Sequence, residues 1–106
     1  MSMDVRAEYD AVVSAMMATS PSSSGKMFGM PCLKNSNGKA YAGLFEDSMV
    51  FKLGGTSHAE ALALTGTRLF DPSGRGRPMK EWVVVPDEYV SRWLEFARKA
   101  FDYTDR

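Results

Sequence analysis

The sequence has very little of the residues on which most catalytic and metal sites depend. Its 106 residues include one cysteine, Cys32, and one histidine, His58. A tetrahedral metal site built on soft ligands would need carboxylates at its remaining positions, so we expect no metal and no cofactor. A single cysteine also excludes a disulfide within the chain. Because residues 1–4 lack the basic and apolar segments of a secretory signal, we expect a cytoplasmic protein.

The chain has no excess of either charge and no long hydrophobic run. Thirteen Lys and Arg balance thirteen Asp and Glu, so the formal net charge is zero. The chain therefore lacks the positive field that draws basic proteins to nucleic acids and anionic membranes. The longest nearly apolar stretch, residues 11–18, is far shorter than the roughly 20 residues that span a bilayer. We expect neither direct nucleic-acid binding nor a membrane segment.

What the sequence does contain is typical of one soluble globular domain. Hydrophobic residues make up 44% of the chain and charged residues 25%, which is enough apolar material for a core. We expect residues 1–106 to form one domain. Within it, residues 4–19 carry apolar side chains at three- and four-residue steps. This pattern predicts an amphipathic helix that ends at the serine-rich segment 20–25.

The apolar spacing changes to two after the serine-rich segment. Residues 26–33 and 39–45 flank a segment that ends in an Asn-Gly dipeptide, which favours the tight turn of a hairpin. These two segments are predicted to pair antiparallel, and residues 49–53 to form a third strand. Pro31 has no amide hydrogen to give to a neighbouring strand, which favours an edge or bulged position for the first strand.

The second half of the chain is predicted to hold a helix, two strands and a final helix. Ser57, with Glu60 three residues later, has the pattern of a capping box at a helix start. The helix and the two strands are predicted over residues 57–64, 67–70 and 79–85. Pro86 then opens a last helix with apolar residues at helical spacing. The order is helix, three strands, helix, two strands, helix, which indicates an α+β fold with an antiparallel sheet packed with helices.

Cys32 and His58 are the candidates for nucleophilic chemistry. They would form a reactive pair only if the fold brought them together with a third group to orient the imidazole. The plainer interpretation is a buried thiol and a partly exposed histidine at a helix start, and it is favoured.

The most suggestive polar segment is the loop 71–78 and the strand after it. Its glycines let the backbone approach a ligand closely, and arginine suits phosphate or carboxylate. We predict an anion-binding site formed by Arg75, Arg77, Lys80 and Trp82, the last two side by side on the strand. A solvated turn is the alternative interpretation. Binding to DNA would require these basic residues to cluster with Arg68 on one surface.

Several short motifs follow one another between residues 27 and 101. They are Met27-Phe28-Gly29, Gly38-Lys39, Met49-Val50-Phe51-Lys52-Leu53, Phe70, Gly74-Arg75-Gly76-Arg77-Pro78, Trp82, Pro86 and a closing aromatic helix. In this order they resemble the N-terminal domain of the TfoX/Sxy family of bacterial competence regulators. The resemblance implies a secretion-chaperone-like α+β fold with the same order of elements. Full-length members of the family carry a second, helical domain after this one.

The resemblance implies a regulatory role in competence and transcription, and it supplies no catalytic residues. We therefore expect a stand-alone, non-enzymatic module that acts through an unknown protein partner. We also expect a homodimer, formed through a helix face or a sheet edge other than the Pro31 strand. A small anionic-ligand-binding protein that uses the loop of residues 74–80 is the alternative, and a cysteine-dependent enzyme is a weaker one.

Overall fold

The protein folds into three α-helices, one 3₁₀ helix and six strands, seen in a computed structural model that describes residues 4–72, 74, 76 and 78–105. In chain order the elements are α1 (Val5–Thr19), β1 (Ser23–Met27), β2 (Met30–Lys34), β3 (Ala40–Phe45), β4 (Ser48–Lys52), α2 (Gly55–Leu62), β5 (Arg68–Phe70), β6 (Met79–Pro86), the 3₁₀ helix (Asp87–Arg92) and α3 (Trp93–Thr104). The six strands form one antiparallel sheet in the order β1-β2-β3-β4-β6-β5. The structure confirms the α+β class and the antiparallel sheet.

The predicted first strand, residues 26–33, is a hairpin of two strands. Phe28 and Gly29 turn the chain back with φ values of 51° and 76°, so that Met27 lies opposite Met30. Positive φ at both positions is typical of a two-residue hairpin turn, a conformation that phenylalanine seldom adopts. Four strands therefore precede α2, where the sequence pattern predicts three.

Pro31 lies in β2, an interior strand whose register shift falls between Leu33 and Lys34, so the expectation of an edge position or of a bulge at Pro31 is wrong. On one side Pro31 lies opposite Lys26, and on the other side the register with β3 begins at Cys32. Opposed residues of a hairpin alternate between hydrogen-bonded and non-bonded pairs, and the Lys26–Pro31 pair is of the second kind. The β1–β2 ladder therefore requires no N–H from Pro31, and the position of the missing N–H faces β3 just before the β2–β3 register begins at Cys32. The edge strand beside β2 is β1, whose sequence Ser-Ser-Gly-Lys-Met contains no proline.

The predicted capping box at α2 is also wrong. The helix begins at Gly55 with Gly54 as N-cap, and no described side chain makes a capping hydrogen bond there. Glu60 instead accepts hydrogen bonds from Arg92 and Lys99, which tie α2 to the end of the 3₁₀ helix and to α3. None of the helices in the described part of the chain is long and apolar enough to cross a membrane.

Two apolar clusters lie on opposite faces of the sheet. α1 and α3 cover one face with Tyr9, Val12, Met16, Trp93, Phe96, Ala97, Ala100 and Phe101. The other face holds a smaller cluster of Met30, Val50, Phe70, Trp82 and Val84. In a flat sheet the turn at Phe28 would lie about 20 Å from β5. The rings of Phe28 and Phe70 have centroids 6.2 Å apart, so the sheet curls around the smaller cluster.

Candidate binding groove

The predicted anion site is only partly within the described residues, because Arg75 and Arg77 lie outside them. Lys80 and Trp82 both belong to β6. Lys80 is exposed, whereas Trp82 is 6% exposed and packs in the smaller apolar cluster. The surface of adjoining charge and aromatic ring that we expected on β6 is therefore not formed.

The glycine amides of the same loop are already engaged. Gly74 N donates to Oδ1 of Asp71 over 3.0 Å, and Gly76 N donates to Oδ2 over 2.9 Å. Both glycines have positive φ, as the sequence leads one to expect of a glycine turn. The loop amides thus bind a carboxylate of this chain, and an external anion would have to compete with it. Anion binding by the loop stays a prediction.

Cys32 and His58 make separate contacts. Cys32 is fully buried, and burial raises the pKa of its thiol, which is opposite to the shift that activates a nucleophilic cysteine. His58 donates from Nε2 to the carbonyl oxygen of Lys80 over 2.8 Å and so links α2 to β6. Among the residues that the structure describes, no three His, Cys, Asp or Glu side chains are grouped so that they could hold a metal ion.

A polar cleft lies where the start of α2 faces α3. It has a volume of about 280 Å³ and is lined by residues 54–57 together with Lys99, Asp102 and Tyr103. Lys99 lies 2.9 Å from Oε1 of Glu60 and 3.1 Å from Oε2 of Glu95, so its charge is already paired. Gly54 allows the close approach of Tyr103, because a Cβ at position 54 would collide with the tyrosine ring.

A larger groove of about 440 Å³ lies between α1 and the edge strand β1. Its walls are Arg6, Tyr9, Asp10 and Val13 of α1 and residues 24–26 of β1, with Pro31 and Cys32 of β2 adjoining. Positions 6, 10, 13 and 17 are three or four residues apart and share one side of the helix. Met17, which is 50% exposed, therefore extends the same side of α1 beyond the groove.

The free edge of β1 borders this groove. Met27 and Met30 close the two-residue turn as a hydrogen-bonded pair, and bonded pairs then alternate along the hairpin. Ser24 and Lys26 fall at the alternate positions, so their backbone N–H and C=O groups point away from β2. In the part of the chain that the structure describes, these groups form an unpaired edge of the sheet, because β1 is the first strand in the sheet order.

Some charged side chains near the edge of β1 form a salt bridge, whereas two lysines form none with any described residue. Arg6 and Asp10 form an exposed salt bridge of 3.1 Å on α1. Within the described part of the chain, neither Lys26 nor Lys34 has an acidic side chain within salt-bridge distance. The side chain of Lys34 crosses over Gly25, where its Cε would lie 3.1 Å from an added Cβ. Since neighbouring residues of a strand face opposite sides, Lys26 and Lys34 place one unpaired ammonium group on each face of β1.

Tyr9 has a buried hydroxyl group that no described residue hydrogen-bonds. Tyr9 is 2% exposed, and its burial is the main cause that raises the pKa of its hydroxyl. Among the buried side-chain nitrogen and oxygen atoms of the described residues, the Tyr9 hydroxyl alone has no hydrogen-bond partner. Leaving a buried hydroxyl unpaired costs about 1 to 3 kcal/mol, which marks this position as unusual.

Comparison of the chain with family models, with curated proteins and with solved structures gives no match. The groove, Tyr9 and Lys26 are missing from the sites predicted from the sequence, because that prediction placed β1 and β2 in one strand. The one local signal for the additional turn is Gly29 after Phe28, and the aromatic residue at the first turn position weakens that signal.

Proposed function

We propose that this protein is a non-enzymatic regulatory module, similar to the N-terminal domain of the TfoX/Sxy family, that acts in the cytoplasm by binding another protein. The observation that carries the proposal is the open, proline-free edge of β1 beside the groove on α1. An unpaired strand edge is a template for a strand of another chain, and natural proteins usually cover or block such an edge. The link to competence and transcription rests on the resemblance of the sequence motifs.

Three aromatic residues of the motifs contribute to the packing of the fold and not to the free edge of β1. Phe28, Phe70 and Trp82 all contribute to the resemblance. Phe70 and Trp82 pack on the face of the sheet that lies away from α1 and α3, and the ring of Phe28 contacts Phe70. Their packing accounts for their place in the fold, and it leaves the edge of β1 free. A domain built in this way keeps its structure while the edge strand contacts a partner.

Affinity capture from bacterial lysate with an edge-blocked variant tests the proposal. Ser24→Pro removes only the outward N–H at position 24, so it blocks strand addition without breaking the hairpin. Ser24→Ala is the matched control, because it changes the same side chain and keeps the N–H. We expect the wild type and Ser24→Ala to retain the same protein at equal yield and Ser24→Pro to lose it.

Two outcomes contradict the proposal. One is that the wild type retains no protein specifically while native mass spectrometry finds a bound metabolite. The other is turnover of a small molecule by the purified protein that is lost in Cys32→Ala. Circular dichroism of each variant establishes that a loss of binding is not a loss of fold.

A further inference from the structure

We propose that the groove between α1 and β1 binds an extended, acidic segment of the partner protein, which adds to the sheet as a seventh strand beside β1. This inference rests on the proposed function and names the chemistry of the partner. It follows from two independent features of this edge of the sheet: the free backbone groups of β1 and the cations of Lys26 and Lys34, which have no acidic partner among the described residues.

The backbone of β1 specifies an extended partner. Ser24 and Lys26 each direct one N–H and one C=O away from the sheet, at the spacing of a strand ladder. A helix has no backbone groups free to pair with them, whereas an extended segment pairs with all four. The apolar side of α1 at Val13 and Met17 lies beside the added strand and offers contacts to alternate side chains.

The charges specify an acidic partner and disfavour a second copy of this chain. Lys26 and Lys34 have no acidic partner in the described part of the chain, and they lie on the two faces of β1. Glutamate or aspartate in the added strand pairs with them from either face. In a two-fold pairing of β1 with itself, the same cations of both copies would approach each other, and opposed like charges destabilise a strand pair.

The test uses two fluorescein-labelled octapeptides, one of alternating Glu and Val and one of alternating Lys and Val. Fluorescence anisotropy measures their binding to the whole protein at low salt. We expect the acidic peptide to bind at least about tenfold more tightly than the basic one. We expect Ser24→Pro to weaken this binding at least about tenfold and Ser24→Ala to leave it unchanged.

The variant Lys26→Glu/Lys34→Glu is expected to reverse the preference and bind the basic peptide more tightly. In amide NMR spectra of the wild type, the acidic peptide is expected to shift the signals of Ser24 and Lys26 most. Equal affinity of the wild type for the two peptides would overturn the inference. So would equal affinity of the wild type and Ser24→Pro for the acidic peptide. So would sedimentation that gives a wild-type dimer which Ser24→Pro converts to a monomer, because the edge would then belong to a second copy.

The outcomes separate this inference from the proposed function. Suppose that the wild type and Ser24→Pro capture the same protein from lysate while neither binds the acidic peptide. The inference about β1 then fails, and the proposed function is retained with the partner bound at another surface. If the acidic peptide binds as described but the protein cleaves or modifies it, the inference about the groove is retained and the proposal of a non-enzymatic function fails.

Discussion

Asn35 donates a 2.8 Å hydrogen bond from Nδ2 to Oγ1 of Thr104, and both residues are buried. The bond joins the loop of the β2–β3 hairpin to the last turn of α3, which lie 69 residues apart in the chain. Thr104 Oγ1 in turn approaches the carbonyl oxygens of Ala100 and Phe101 within its own helix. This pair fixes the position of the hairpin against the helix layer, and β1 is the outer neighbour of that hairpin.

Thr104→Val is expected to destabilise the protein by about 1 to 3 kcal/mol, because it leaves the buried Nδ2 of Asn35 without its acceptor. Thr19→Val is the matched control. Thr19 also bonds to the carbonyl four residues earlier, at 2.7 Å, but it is exposed, so its loss should cost less than about 0.5 kcal/mol. Urea unfolding followed by circular dichroism measures both. Equal effects of the two substitutions would contradict the role assigned to the buried pair.

The ion-pair network of α3 predicts a specific loss of stability in acid. Hydrogen bonds from Arg92, and then from Lys99, hold the pKa of Glu95 at about 2, below its usual value of 4.5. A lowered folded-state pKa means that the contribution of Glu95 is complete above pH 4.5 and is lost as the pH falls from 4.5 to about 2. Since the side chain of Glu95 is 42% exposed, solvent screening limits this contribution to about 1 kcal/mol or less.

The measurement is the difference in unfolding free energy between wild type and Glu95→Gln at pH 7 and at pH 2. The difference should favour the wild type at pH 7 and fall to a small remainder at pH 2, close to the folded-state pKa of Glu95. Glu8→Gln removes an equal charge from a glutamate that has no ion pair with any described residue, and it controls for net charge. A difference that persists unchanged at pH 2 would show that packing, and not charge, is responsible.

Cys32 should react slowly in the folded protein. It is fully buried, and its thiol pKa is raised by burial, so both access and the thiolate fraction are reduced. We expect alkylation by iodoacetamide near neutral pH to be at least about tenfold slower in the native protein than in urea at the same pH. Equal rates would show an accessible, ionised thiol and would restore the enzyme that uses Cys32 and His58.

The loop of residues 74–80 gives a prediction about competition for its amides. Because Asp71 accepts from both Gly74 and Gly76, we expect phosphate to bind more tightly to Asp71→Ala than to the wild type. Arg75→Ala/Arg77→Ala should abolish a saturable signal in either background. Tryptophan fluorescence follows the titrations, with nucleotides and carboxylate metabolites tested in the same way. The absence of a saturable change in every variant would remove this site.

The sequence by itself determined the elements that local patterns specify. The apolar spacing over residues 4–19 matches α1, the Asn-Gly dipeptide marks the turn between β2 and β3, and the alternation after Glu46 matches β4. In each case the residues that form an element are close together in the chain, so their preferences are visible without the rest of the fold. These preferences sufficed for the α+β class.

Tertiary structure alone decided the edge of the sheet and therefore the groove. Phenylalanine disfavours the positive φ that Phe28 adopts, and the turn is held by the β1–β2 ladder and by contact with Phe70, 42 residues later in the chain. The same turn moves Pro31 from the edge to the interior and leaves Ser24 and Lys26 unpaired. The local sequence shows only that a positive φ at Phe28 is unfavourable. The packing that offsets this unfavourable conformation exists only in the curled sheet.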